Sequence, residues 1–216
     1  MPAVSEGLLV IACGALAREI VALKRLNGWS QLEVECLPPE LHNRPEQIPA
    51  AVEGAIRAAR ARHKRIFVAY ADCGTGGLLD ALLEKEGVQR LPGAHCYEFY
   101  AGALAFAALA EEQPGTFYLT DFLVRHFERL VIEGLGIDCH PELRDEYFRN
   151  YQRLVYLAQS RSAELSAAAR AAATRLGLAY EERYTGFGEL EGSLARAVAV
   201  PVATVGRAGE RASWRH

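Results

Sequence analysis

The chain has 216 residues, half of them hydrophobic and 24% charged, with a formal net charge of -3. That length supports one sizeable core or two small lobes, and the lack of a basic surplus excludes a nucleic-acid footprint. The longest apolar runs, near 99–110 and 197–205, are too short to span a bilayer.

Residues 1–7 offer no basic start and no signal-peptide core, so the expected location is the cytoplasm. Five cysteines, Cys13, Cys36, Cys73, Cys96 and Cys139, are widely spaced and odd in number, against a disulfide framework. No CxxC pair is present, so a metal site must be assembled from distant parts of the chain.

In chain order, 7–12 reads as a buried strand, Cys13-Gly14 as its turn, and 15–26 as a helix with Leu16, Ile20, Leu23 and Leu26 on one face. A second strand over 32–37 carries Cys36 near its end. The prolines at 38, 39 and 45 force an irregular loop, and an alanine-rich helix follows over 49–62. Residues 66–70 form a strand, 71–77 a glycine-rich turn, and 78–83 open a leucine-rich helix. After a short strand at 88–91 and a turn at 92–95, a helix opens at Cys96 and runs through 101–110, apolar nearly all round and hence expected to be buried.

Pro114-Gly115 ends that half, and a subdivision near 114 is one option for an otherwise single domain over 1–216. A strand over 116–120 leads to a helix over 122–132 capped by Asp121. Asp138-Cys139-His140-Pro141 reads as a helix start. A strand over 154–158, a helix over 162–176, a strand over 178–184 and a short final helix complete the pattern; the tail from Gly206 is expected to fray. The alternation predicts an α/β fold: a mostly parallel, doubly wound, Rossmann-like sheet with helices on both faces.

In such a sheet the turns after the strands share one edge, where ligands bind. That brings Cys13, Cys36, Cys73 and Cys96 to one side. A cysteine opening a helix sits in the positive end of its dipole, which favours the thiolate, the form that binds metal. The competing reading is that buried cysteine simply packs well in tight turns. Cys13, Cys73 and Cys96 are therefore the candidate metal ligands. His95, Glu98 and Asp72 are candidates for completing the shell or for acid–base work, against a solvated histidine, a helix-start glutamate and a turn aspartate. Glu19 reads as a solvated face residue, and Cys139-His140 as a surface turn. The backbone around Gly14, Gly74, Thr75 and Gly76 could cradle a phosphate, although no lysine follows the glycines and no dinucleotide spacing is present. Tyr97, Phe99, Tyr100, Tyr147, Phe148, Tyr151 and Tyr156 make the middle of the chain aromatic, as core or as the wall of a pocket.

The set Ala12-Cys13-Gly14 with a following helical glutamate, Asp72-Cys73-Gly74, and Cys96-Tyr97-Glu98 with Gly102 resembles an uncharacterised domain-of-unknown-function family of bacteria and methanogenic archaea. The resemblance covers most of the chain, clearest over 11–102, with a looser closing segment at 184–194. Genes of that family often lie near those for corrinoid proteins and corrinoid methyltransferases, which implies corrinoid-linked one-carbon metabolism. No histidine stands in the setting usual for a lower cobalt ligand.

Three functions follow as expectations. The first is a metal-thiolate protein, with zinc or alternatively an iron–sulfur cluster on the three cysteines, serving methyl transfer between a corrinoid and a small thiol or methyl donor. The second is a non-enzymatic accessory protein docking on a corrinoid protein or methyltransferase. The third is a phosphate- or nucleotide-binding enzyme using 74–77.

Overall fold

A computed structural model describes residues 5–200, and strand and helix alternate through them nearly as the sequence predicts. The strand β1 (Ser5–Cys13) is followed by a 3-10 turn and α1 (Ala17–Leu26), then β2 (Leu32–Leu37), α2 (Ile48–Ala59) and β3 (His63–Ala69). Next come α3 (Leu78–Glu86), the two-residue β4 (Gln89–Arg90), α4 (Cys96–Ala101) and α5 (Ala103–Glu112). The second half holds β5 (Thr116–Thr120), α6 (Asp121–Arg125), a turn of π-helix at Glu128–Glu133, α7 (Glu142–Phe148), β6 (Arg153–Ala158), α8 (Ala163–Leu176), β7 (Ala179–Tyr184) and α9 (Leu190–Ala199).

All strand pairings are parallel, as expected, but the strands divide between two sheets, β2-β1-β3-β4 and β5-β6-β7. Being central, β1 is covered on both sides, which its unbroken apolar run requires: Val10, Ile11 and Ala12 are fully buried. The register sets Ala12 beside Cys36 and Ala69, so the carboxyl ends of β1, β2 and β3 lie level. Each sheet carries its own apolar core.

Four local expectations change. Leu26, at the last residue of α1 where the chain turns away, is exposed instead of joining Ile20 and Leu23. The long apolar helix is broken at Gly102, whose φ of 83° a helix cannot hold, and α5 is largely exposed: Leu104 is 91% exposed and only Leu109 is buried. Most of the apolar character of α5 is alanine, which favours helix while having little surface to bury. Thr120, not Asp121, caps α6, its hydroxyl accepting from the Leu123 N–H at 3.4 Å. The tail from Gly206 lies outside the described residues. Among the described residues no helix is long and apolar enough to cross a membrane.

The two halves are tied twice. The chain leaves the first sheet through α4 and α5, and returns after β7. Leu190, Leu194 and Ala197 of α9 are buried in the core of the four-stranded sheet, and the Arg65 guanidinium donates to the carbonyls of Ala197 and Val198 at 2.7 and 2.9 Å, satisfying the end of that helix. The return passes through Gly188, where φ is +53° and a Cβ would lie 2.3 Å from the Phe99 carbonyl oxygen. Only glycine fits there. The Glu189 N–H then donates to that same carbonyl at 2.7 Å.

Candidate functional site

The carboxyl edge of the four-stranded sheet faces α6 and the π-helical turn across a cavity of about 340 Å³. Three devices carry cysteines to this region. Cys13 is the last residue of β1, buried, and its sulfur accepts from the Ala15 N–H at 3.4 Å as the chain turns. Gly14 beside it packs so closely that a Cβ would be 3.1 Å from the Leu37 carbonyl and the Pro39 ring. Cys73 follows β3 in a loop zipped onto the segment before α4: Asp72 N–H donates to Gly93 O at 3.1 Å, and Cys73 N–H to Ala94 O at 2.8 Å. Its φ of 52° makes it the sole non-glycine with positive φ among the described residues, a conformation uncommon outside functional sites and turns. The same zipper draws Cys96, the first residue of α4, alongside.

The three thiols feel one another: the charge of Cys73 acts on both Cys13 and Cys96, and that of Cys13 on Cys96. Burial dominates their acidity. It pushes Cys13 up to about 12 and Cys73 up to about 11, and lifts Cys96 well above an ordinary thiol. This corrects the expectation of dipole-stabilised thiolates. Backbone N–H groups do pull the other way, Ala15 on Cys13, Ala71 and Cys96 on Cys73, and Tyr97 on Cys96, but desolvation is the larger effect. Among the described residues no three or more His, Cys, Asp and Glu side chains form a ready-made metal shell. The thiols flank a common region as neutral groups.

Two residues that the sequence reading left in loop and strand belong to this site. His42, from the proline-rich turn after β2, lines the cavity, lies 3.7 Å through Nδ1 from the Cys13 sulfur, and stacks on Tyr70 at 6.1 Å. Its Nδ1 is also 3.2 Å from the Pro39 carbonyl. A carbonyl only accepts, so that nitrogen carries the hydrogen, and burial keeps the ring neutral by lowering its pKa. Tyr70, the residue just past β3, is buried beside Cys13, whose ionisation it favours. Its hydroxyl stops short of a settled hydrogen bond with any partner. Both residues sit past the carboxyl end of a strand, the one sequence signal that could have found them.

The other candidates are placed differently. His95 immediately precedes α4 without capping it through its side chain, and lines the cavity with Cys73, Cys96 and His42. Glu98 turns back instead, accepting from the Ala94 N–H at 2.8 Å. Asp72 accepts from the Thr75 hydroxyl at 2.6 Å and from the Gly76 and Gly77 N–H groups at 3.1 and 2.9 Å. Those bonds hold its carboxyl below the usual range, with Thr75 foremost. Asp72 thus fills the glycine loop from within: its carboxylate engages the Gly76 and Gly77 N–H groups, and its carbonyl accepts from the Thr75 N–H at 3.1 Å. Cys36 and Cys139 are exposed, and His140 pairs with Glu142 at 3.3 Å on the surface. Glu19 is the clearest correction: it is 7% exposed, not solvated, with one carboxylate oxygen lacking a partner. Burial raises its pKa, and it senses Asp121 and Arg125 from the other half of the molecule.

The carboxyl edge of the three-stranded sheet carries a different group. Asp121 is buried and accepts from the Tyr156 hydroxyl at 2.6 Å, the Gln159 N–H at 2.9 Å and the Ser160 hydroxyl, with Arg125 at 3.7 Å. The Gln159 side chain in turn accepts from the Asp121 N–H at 2.7 Å.

Residues 36–194 match the family described as a protein of unknown function, DUF1638, and the chain belongs to that family. No curated protein and no solved structure matches the chain.

Proposed function

We propose that this member of a family of unknown function is a metal-thiolate protein in which Cys13, Cys73 and Cys96 hold a zinc ion beside the cavity between the two sheets. The observation that carries the reading is that three sequence-distant thiols lie near enough to act on one another's ionisation, each with backbone N–H donors near its sulfur, and that Cys73 and Cys96 share a cavity lining with His42 and His95. The donor set suits zinc or another soft cation, and a buried Tyr70 hydroxyl without a partner suits a sulfur that becomes a stronger acceptor as thiolate. When bound, zinc would supply Lewis acidity that lets a substrate thiol ionise near neutral pH. The chain's own part is to keep the region dry, to aim N–H groups at the sulfurs, and to hold His42 as a neutral ring tethered through Nδ1 to Pro39. Glu98 and Asp72, tied to their own loops, have no acid–base part in this reading. In this reading the reaction is methyl transfer with a corrinoid protein as the partner, a proposal that draws only on the resemblance to a family linked with corrinoid genes. An iron–sulfur cluster on the same cysteines is the variant that colour would reveal.

Metal analysis of anaerobically purified protein, wild type beside Cys13→Ser, Cys73→Ser and Cys96→Ser, tests this. About one equivalent of zinc, lost in each variant, is expected for a single tetrahedral site. A wild type free of metal, with variants merely less stable, would mean that the cysteines are core.

A second reading, an accessory protein that docks on a corrinoid protein or methyltransferase, draws on the exposed apolar face of α5 around Leu104. Leu104→Glu should then abolish complex formation with the purified corrinoid protein while leaving metal content unchanged. The nucleotide reading loses its support because Asp72 occupies the Gly76 and Gly77 donors.

A further inference from the structure

The cavity is two-faced. On one side lie Cys73, Cys96, His42 and His95. The opposite wall is Phe117, Phe122, Leu123, Leu130, Val131 and Leu135, contributed by β5, α6, the π-helical turn and the segment just after it. A turn of π-helix is a rare widening of the helix that recurs at functional sites. The remaining lining, such as Asn43, Tyr97 and Thr120, is uncharged. Among the described residues none of the lining is Lys, Arg, Asp or Glu.

This lining selects by cost. An anionic or cationic ligand group entering here would shed water without finding an opposite charge, an expensive exchange. An apolar body would instead cover the leucine and phenylalanine wall and gain from leaving water. Size bounds the ligand as well. A cavity of roughly 150 Å³ holds benzene, so about 340 Å³ holds roughly a dozen non-hydrogen atoms.

We infer that the ligand of this cavity is a small uncharged thiol or thioether, with its sulfur toward Cys73 and Cys96 and an apolar body against the Phe122–Leu130 wall. The inference rests on the metal-thiolate reading for the role of the sulfur, and on the cavity alone for the exclusion of charge. It separates this site from those that take thiols bearing carboxylate, sulfonate, phosphate or ammonium groups. Anything larger, a corrin ring included, would have to be presented at the mouth by a partner.

The test titrates cobalt(II)-substituted protein with 1-butanethiol, 3-mercaptopropionate and 2-aminoethanethiol, followed by the visible absorption of the metal. The uncharged thiol is expected to bind at least tenfold tighter than either charged one. In Leu123→Lys, at the less buried rim, binding of 3-mercaptopropionate should rise severalfold while that of 2-aminoethanethiol falls. Thermal melts of metal-free protein with the same three probes give a second readout, with 1-butanethiol alone raising Tm. Equal or tighter binding of a charged thiol to the wild type overturns the inference and leaves the metal site standing. Failure of the wild type to take up any metal overturns the metal-thiolate reading. The melts still decide the cavity's preference in that case, and a flat response to all three probes ends it.

Discussion

At the carboxyl edge of the three-stranded sheet, the Asp121 carboxylate takes hydrogen bonds from Tyr156, Gln159 and Ser160 with Arg125 beside it. At the carboxyl edge of the four-stranded sheet, a buried tyrosine hydroxyl has no partner and three thiols are held neutral by burial. Both edges place polar groups out of water, but only the first answers them from within. Buried polar groups are normally paired, so the unanswered edge is the one where a ligand from outside would find partners. The paired edge acts as its wall and anchor.

The strongest way to break the contrast is at the paired edge. Asp121→Ala leaves the Tyr156 hydroxyl and the Gln159 N–H buried without an acceptor, and should cost on the order of 3 kcal/mol or more in urea unfolding. Metal stoichiometry in the folded fraction should not change. At the join between the halves, Gly188→Ala forces a methyl against the Phe99 and Tyr100 carbonyls and should cost about 2 kcal/mol by the same assay.

The thiol edge answers to pH. Cys13 and Cys73 have folded pKa values of about 12 and 11, above the ordinary 9.0. Between those values the unfolded chain has released protons that the folded chain keeps. Stability from the neutral thiols is therefore full below pH 9 and is lost as pH rises toward 11 and 12, with a slope of about 1.4 kcal/mol per pH unit for each thiol. Metal-free protein should show that decline in urea melts taken from pH 8 to pH 11, and the double variant Cys13→Ala/Cys73→Ala should lose most of it. Zinc affinity should run the opposite way, rising with pH, because binding displaces the protons. The smallest effect sharpens the comparison best. Tyr70→Phe deletes a hydroxyl whose neighbour is the weakly accepting Cys13 sulfur and which makes no settled hydrogen bond, so stability should move by less than about 1 kcal/mol. Metal affinity should fall about tenfold if that hydroxyl serves a thiolate.

Much of this was readable in the chain. The strands at 32–37 and 116–120 have the bounds that their sequence suggests, and the two Cys-Gly pairs do stand at the carboxyl ends of buried strands, Cys13 at the end of β1 and Cys73 just past β3. What could not be read was whom a side chain faces. Asp72 looked free for chemistry because nothing in sequence shows that its own loop supplies three donors. Glu19 lies on a helix whose polar side meets the other half of the molecule, and only the packing of two sheets reveals that. His42 was hidden in a loop that prolines made unpredictable, and the same prolines hold it beside Cys13. The helix at 103–112 was misjudged because alanine counts as apolar in a pattern yet demands almost no cover.

The return of α9 has a consequence for how the protein is made. Leu190 and Leu194 have no exposure in the core around β1, yet they leave the ribosome after β1 to β7 have been synthesised. The first half to be translated therefore waits, with an open groove, until α9 has followed β7. Its closure is a late, non-local event of high contact order, so the two halves should gain their final stability together and not in succession.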